Sequence, residues 1–375
     1  SCKKEVNILK GRAILLIGIL ERIETKYQES IDICDKARRI FVEFEDQYHV
    51  GIATANIGMA LRMNRNFRDA IDQYDLAFET FKAENDNYRM ACVQARRGTA
   101  NRFMKNYLQA LNDYKESIKK FEEENDYLRK GIVTRELGTT YLLMGALAEA
   151  LENYKNAFAI FDSIDKSLHP EALVRIGFAY YSLGLVYLMQ GEWSQSIPYL
   201  DKALENFRYM GDNYNISLTL SSLGSAYRMS DLPEMALNYL PEALSIARFM
   251  KDKRRESLIL IKLGGAYRQK HDYASALNCY QESHKIILDI KGSLLLESDK
   301  YKNIELSEGK ILGEMGAIYR RQNKIAEAIP YYEQAIDIFK KHHNQNKIGW
   351  ILEEFGQIYV LQGFLTKAIN EYEKA

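Results

Sequence analysis

The chain reads as all-α, a right-handed superhelical solenoid of about nine antiparallel helix pairs. Three observations predict this. A glycine recurs at Gly18, Gly58, Gly98, Gly138, Gly184, Gly224, Gly264, Gly316 and Gly356, with six of the eight intervals at 40 residues and the other two at 46 and 52. Small residues follow at fixed distances. Twelve on stand Ser30, Ala70, Ala110, Ala150, Ser196, Ala236, Ala276, Ala328 and Ala368; nineteen on stand Ala37, Ala77, Ser117, Ala157, Ala203, Ala243, Ser283, Ala335 and Ala375. The 375 residues are 47% apolar with only five prolines, a composition that tolerates uninterrupted helix. A period of this length marks one supersecondary unit whose apolar face is buried only by its neighbours, so the array grows as one body.

The stretch 183–207, LGLVYLMQGEWSQSIPYLDKALENF, shows the unit. Gly184 and Tyr187 lie in a first amphipathic helix, and Gly191 and Trp193 mark the turn. Ser196, Ile197, Leu200, Ala203 and Phe207 form an apolar stripe along the second helix. Small side chains at Gly184, Ser196 and Ala203 allow the two helices a close approach. The chain is therefore one solenoid over 1–375. Its units lie near 11–41, 51–81, 91–121, 131–161, 170–207, 213–249, 253–290, 306–340 and 345–375.

In order along the chain, residues 1–10 are a polar lead-in. Units one to three follow with strict spacing. The insertion 162–170 adds six residues and ends in His169-Pro170; proline suits a first helical turn, where its missing N–H is not needed. The next helix is expected to start at Pro170 and run to about Gln190. Unit six has Asp231-Leu232-Pro233 at its turn, in place of a glycine and an aromatic. The insertion 291–308 mixes leucines with charges and reads as either a loop or longer helices. The text stops at Ala375 inside a second helix, which reads as a cut helix or a piece of a longer protein. In the six units followed by a 40-residue interval, the residue 28 after the glycine is Asp46, Asp86, Asp126, Asp212, Asp252 or Asn344, each able to cap the next helix. The two stretched intervals carry Lys166 and Gly292 there instead.

LGTTYLLMGALAEALENYKNAFAIF in unit four and FGQIYVLQGFLTKAINEYEKA in unit nine resemble the tetratricopeptide repeat family, and the resemblance covers nearly the whole chain. The common repeat has 34 residues with a proline closing its second helix; this chain has 40 and lacks that proline. The longer period is similar to the variant in Leu-Gly-Asn repeat proteins, kinesin light chains and regulators of the Rap and PlcR type. In such repeats the first helix of each unit lines a concave groove. Four after the glycine stand Arg22, Arg62, Arg102, Leu142, Leu188, Arg228, Arg268, Arg320 and Val360. Arginines thus flank an apolar centre widened by Leu143, Phe178, Tyr181, Leu185 and Met189. Arg135 and Arg321 add to the basic rim, whereas Glu353, Glu354 and Gln357 make the far end acidic or polar. Two readings of the arginines stay open. One is a ladder of ion pairs between repeats. The other is a row of guanidinium groups offering bidentate contacts to a ligand.

Catalytic signatures are missing: no HExxH, GxxxxGK[ST], GxSxG or paired CxxC occurs. His342-His343 reads as adjacent helical residues, about 100° apart and poorly placed to chelate one metal. No cofactor and no metal is expected. Cys2, Cys34, Cys92 and Cys279 show no paired spacing and read as reduced thiols of a cytoplasmic protein. Cys2 also stands where a lipoprotein anchor would. Asn215-Ile216-Ser217 matches a glycosylation sequon in a helical setting. With 51 basic and 51 acidic residues, no nucleic-acid partner is expected, nor a membrane span.

The primary expectation is a non-enzymatic protein–protein interaction scaffold. Its groove takes a peptide or helical segment of a partner with acidic and apolar residues, through Arg22, Arg62, Arg102, Arg135, Leu142, Phe178, Tyr181, Leu188, Met189, Arg228, Arg268 and Arg320. The alternative is a regulatory or sensor arm of a larger signalling protein whose effector lies outside this chain.

Overall fold

The computed structural model describes residues 2–165, 171–293 and 299–374. Among these residues there are eighteen helices and no strand: α1 (Cys2–Ile23), α2 (Tyr27–Glu43), α3 (Gln47–Met63), α4 (Phe67–Ala83), α5 (Asn87–Phe103), α6 (Tyr107–Glu123), α7 (Tyr127–Leu143), α8 (Leu147–Ser163), α9 (Glu171–Met189), α10 (Trp193–Tyr209), α11 (Asn213–Met229), α12 (Pro233–Phe249), α13 (Lys253–Gln269), α14 (Tyr273–Gly292), α15 (Asp299–Arg321), α16 (Ile325–Lys341), α17 (Gln345–Leu361) and α18 (Leu365–Lys374). They form two compact units, 1–190 and 191–375, so the division falls inside the fifth repeat. The first unit holds the pairs α1/α2, α3/α4, α5/α6 and α7/α8, with α9 against α8 and α7. The second holds α10 against α11, followed by the pairs α11/α12, α13/α14, α15/α16 and α17/α18.

The recurring glycine sits where the two helices of a pair touch. A Cβ on Gly58, Gly138, Gly264 or Gly316 would stand 2.8, 2.9, 2.8 or 2.8 Å from the rings of Tyr74, Tyr154, Tyr280 and Tyr332. These rings are fully buried, and covering each one contributes about 2–3 kcal/mol. In the first repeat Cys34 takes the tyrosine's place, with its sulfur 2.6 Å from a Cβ on Gly18. A second small-residue slot, seven before the first, recurs with the same period. There Gly11, Gly51, Gly131 and Gly309 face Phe41, Phe81, Phe161 and Phe339, where a Cβ would stand 2.5–3.0 Å from the nearest ring carbon. Ser217 and Ser257 fill the slot in two other repeats. Each answers its buried hydroxyl locally: Ser217 donates to the Ala243 carbonyl at 2.9 Å, and Ser257 meets Ser283 at 2.9 Å.

The expected caps form. Asp46, Asp86, Asp126, Asp212, Asp252 and Asn344 accept from the backbone N–H three residues on, at the starts of α3, α5, α7, α11, α13 and α17. Asp272 does the same for α14. Turns close through one residue of positive φ. Gly145, Gly191, Gly211 and Gly363 occupy four of these positions, while Arg65, Lys105 and Asp231 show that side-chain-bearing residues fill others. Asp231 thereby does the glycine's work in the sixth repeat.

One expectation turns out differently. His342 and His343 are not neighbours within a helix: His342 caps the end of α16 and His343 has φ 53 in the turn. Lys166, His169 and Pro170, and with them the predicted helix start, lie outside the described residues, as do 294–298 of the second insertion and the side chain of Cys2. Apart from Ser293, which ends α14, the described remainder of that insertion is helical, since α14 has 20 residues and α15 has 23 against the usual 17. Finally, α9 alone among described residues is long and apolar enough to cross a membrane by composition. Half of that window is buried inside the protein, and its partners there are α7 and α8.

Candidate partner-binding face

Within the first unit each first helix touches the next: α1 meets α3, α3 meets α5, α5 meets α7 and α7 meets α9. This layer carries most of the proposed binding residues. Position four after the glycine falls in the last turn of its helix, so Arg22, Arg62 and Arg102 end α1, α3 and α5 on the same side. In the second unit, α11 touches α13 and α15 touches α17, placing Arg228, Arg268 and Arg320 equivalently.

The arginine ladder splits into two kinds. Arg102 pairs with Glu136 at 2.9 Å, Arg268 with Glu314 at 3.2 Å and Arg320 with Glu354 at 2.7 Å. In each case the carboxylate stands two residues before the glycine of the following repeat. Burial works against these guanidinium charges, and the facing carboxylate more than restores them. Glu354 is buried and also accepts from the Tyr332 hydroxyl at 2.8 Å. It belongs to the ion-pair ladder and does not form an acidic end of the face. Arg135 lies against Glu136 and stacks over Phe178, 5.6 Å from the ring centre.

The other ladder arginines have no such partner because the same slot holds a different residue. It is Asn56 facing Arg22, Arg96 facing Arg62 and Lys262 facing Arg228. Neither α3 nor α5 contains an aspartate or a glutamate. Among the described residues no carboxylate lies within ion-pair distance of Arg22, Arg62 or Arg96. Arg22 makes only a 3.8 Å contact to the Met63 sulfur, and the Nε atoms of Arg22 and Arg62 are buried without a hydrogen-bond partner. The Arg22 pKa is lowered, first by burial and next by Arg96, with Arg62 adding to it.

Tyr74 lies beside this cluster, fully buried, its hydroxyl facing Arg62 without a bond of good geometry. Its equivalents Tyr114 and Tyr154 bond to Thr99 and Thr139 at 3.1 Å, but Met59 replaces that threonine here. Burial raises the Tyr74 pKa, and Arg62, Arg96 and Arg22 oppose the rise. A cavity of about 240 Å³ opens beside the cluster, lined by Arg22, Asn56, Tyr88, Arg89, Arg96 and Arg129 among others, with no carboxylate in its wall. Two of these arginines are neutralised: Arg89 by Asp86 at 3.2 Å and Arg129 by Asp126 at 2.5 Å.

In the second unit, Lys262 donates to the carbonyl and hydroxyl of Ser221 at 3.0 and 2.7 Å. Burial first, then Arg228 and Lys310, bring its ammonium pKa down to about 8. Where the repeat interval stretches to 52, α13 and α15 meet less extensively than α11 and α13 do. A cavity of about 430 Å³ lies there, with Arg254, Lys310 and Lys347 on its wall.

The apolar centre lies wholly in the first unit. Leu142, Phe178, Tyr181 and Leu188 are half-buried, while Leu143 and Met189 are 52% and 57% exposed. The structure thus brings Arg22 and Arg96, which lies outside the position-four pattern, to one cavity wall, with Arg62 close enough to act on the Arg22 charge. It places Arg102, Arg268 and Arg320 in ion pairs. The slot two before each glycine carries the signal that separates the two kinds.

A family model described as tetratricopeptide repeat matches residues 89–163, 175–249 and 307–375, more than half of the chain. The chain belongs to the tetratricopeptide repeat family. Three solved structures are similar to this tetratricopeptide repeat protein. The apo form of RapI has a TM-score of 0.71 at 14% identity, over 97% of this chain and 96% of that one. The apo form of the quorum sensor NprR from B. thuringiensis has a TM-score of 0.62 at 13% identity, over 88% and 87%. A Rap protein complexed with Competence and Sporulation Factor has a TM-score of 0.53 at 14% identity, over 98% and 100%. At these identities the likeness is one of fold. Comparison with curated protein sequences gives no match.

Proposed function

We propose that this repeat protein is a non-catalytic interaction scaffold that takes a peptide or helical segment of a partner on the first-helix face of its first unit. The observation that carries this reading is that face itself. Arg22, Arg62 and Arg96 stand half-buried without carboxylates, on the same helix layer as the partly exposed Leu142, Phe178, Tyr181, Leu188 and Met189. Uncompensated guanidinium groups recruit acidic residues, and a contiguous exposed apolar surface is a common mark of protein contact. Arg228 with Lys262 offers a second cationic position on the other unit. Cys34, Cys92 and Cys279 are free thiols, which suits a cytoplasmic setting.

A regulatory role is the second reading. NprR is described as a quorum sensor, and a Rap protein as complexed with Competence and Sporulation Factor. A signal-binding arm in this chain would use the same face. Selection from a random peptide display library tests the scaffold. Retained peptides are expected to combine acidic and apolar residues and to be lost on Leu142→Ser/Met189→Ser, with helicity unchanged by circular dichroism. Enrichment of nothing above background, or retention by the variant, would overturn the reading.

A further inference from the structure

Three guanidinium groups with no acid among them are an unfinished charge arrangement. Elsewhere in the chain the same ladder position is completed by Glu136, Glu314 or Glu354. Around Arg22, Arg62 and Arg96 the completing residue is missing in two successive repeats, and the second of these supplies a further cation. The Nε groups of Arg22 and Arg62 are buried and unpartnered. Buried donors of this kind are costly when nothing meets them. A cavity of about 240 Å³, whose wall among the described residues includes Arg22 and Arg96 and no carboxylate, gives an anion access, with Arg62 just outside that wall.

The size of the unmet charge selects the anion. One carboxylate brings a single charge and two oxygens, enough to bridge two guanidinium forks. A phosphate monoester brings about −1.5 to −2 charge and three strong acceptor oxygens, leaving about +1 to +1.5 on the three arginines where one carboxylate would leave about +2. Bidentate N–H···O contacts suit Arg for this geometry more than Lys, and all three positions are Arg.

We propose that Arg22 and Arg96, with Arg62 beside them, form a phosphate-monoester subsite that receives a phosphorylated side chain of the partner segment. Asn56, Tyr88 and the paired Arg89 and Arg129 form the surrounding wall. The partner's apolar residues continue toward Leu142 and Met189. The assignment rests on the scaffold reading above, and it makes engagement dependent on a modification carried by the partner.

The test uses the full chain and three immobilised peptide pools with degenerate flanks, centred on phosphoserine, serine or glutamate. The phosphoserine pool is expected to be retained about tenfold or more above the serine pool, since hydrogen bonds to charged groups contribute about 1.5–3 kcal/mol. The glutamate pool is expected to fall near the serine pool, and inorganic phosphate to compete with the phosphoserine pool selectively. Arg62→Gln/Arg96→Gln is expected to bring phosphoserine retention down to the serine level, whereas Arg208→Gln, which alters an exposed ion pair with Glu242 on the second unit, leaves it unchanged. Circular dichroism verifies the fold of each variant. Equal retention of the glutamate and phosphoserine pools would overturn the proposal in favour of a carboxylate site. Equal retention of all three pools, lost on Leu142→Ser/Met189→Ser, would overturn it while leaving the scaffold standing. Retention of no pool would overturn both.

Discussion

Arg96→Glu is the perturbation that most directly tests the charge pattern. It places a carboxylate two residues before Gly98, where Glu136 stands before Gly138, and gives Arg62 the partner that Arg102 already has. The Arg102–Glu136 pair has N···O 2.9 Å, with side chains 13% and 20% exposed. Charge centres about 4 Å apart attract by about 4 kcal/mol at an effective dielectric of 20. Desolvating the new carboxylate takes back most of that, leaving a net gain of about 1 kcal/mol, at the upper end for partly exposed pairs. With a urea slope of about 2 kcal/mol/M the midpoint of the first unit should rise by roughly 0.5 M. The gain should shrink between low salt and about 0.5 M NaCl, where screening has already softened the repulsion among Arg22, Arg62 and Arg96. Glu136→Gln is the mirror experiment: it leaves Arg102 without its carboxylate and should cost about 2 kcal/mol, less than for a fully buried pair. Urea titrations followed by circular dichroism measure both. A lower midpoint for Arg96→Glu with native helicity, together with a neutral Glu136→Gln, would refute the idea that this slot sets the charge balance.

Other expectations follow from single contacts. Asp86→Ala removes the acceptor for the Arg89 N–H at 2.8 Å and should cost about 1 kcal/mol, read from the urea midpoint. Gly131→Leu drives a side chain into the Phe161 ring, which a Cβ alone would approach to 2.5 Å; a loss of about 1–3 kcal/mol or failure of that repeat to fold should show in hydrogen exchange of α7 and α8. Burial tends to raise the Glu305 carboxyl, but hydrogen bonds from Lys341, His342 and Lys291 bring it down to about 2 from 4.5. Its stabilising contribution is therefore present above pH 4.5 and lost as pH falls toward 2, so the advantage of wild type over Glu305→Gln should vanish across that window in acid titrations. Lys262, lowered to about 8 from 10.5, binds fewer protons folded than unfolded between those values. Wild type should therefore gain stability relative to Lys262→Met as pH rises from 8 to 10.5, and a flat difference in urea midpoints would contradict the burial of its ammonium.

What the sequence determined by itself was the repeat. Gly58, Ala70 and Ala77, and their counterparts, are local requirements of two helices in close contact, and they recur because every pair meets the same steric demand. The caps were equally legible, since Asp86 or Asp126 acts on a backbone N–H only three residues away. The role of the arginines was not legible one position at a time. Arg62 and Arg102 occupy the same place in the repeat with the same side chain, yet one lacks a carboxylate and the other has Glu136. The difference comes from a residue 34 positions further on, in the next repeat. Only the packing of α3 on α5 and of α5 on α7 brings those positions together, because Coulomb energy depends on distance in space and not along the chain. Tyr74 was hidden for the same reason: its missing partner is a threonine on the facing helix, replaced by Met59. Local sterics fixed the helices, and tertiary contact decided which of their charges are left to meet a partner.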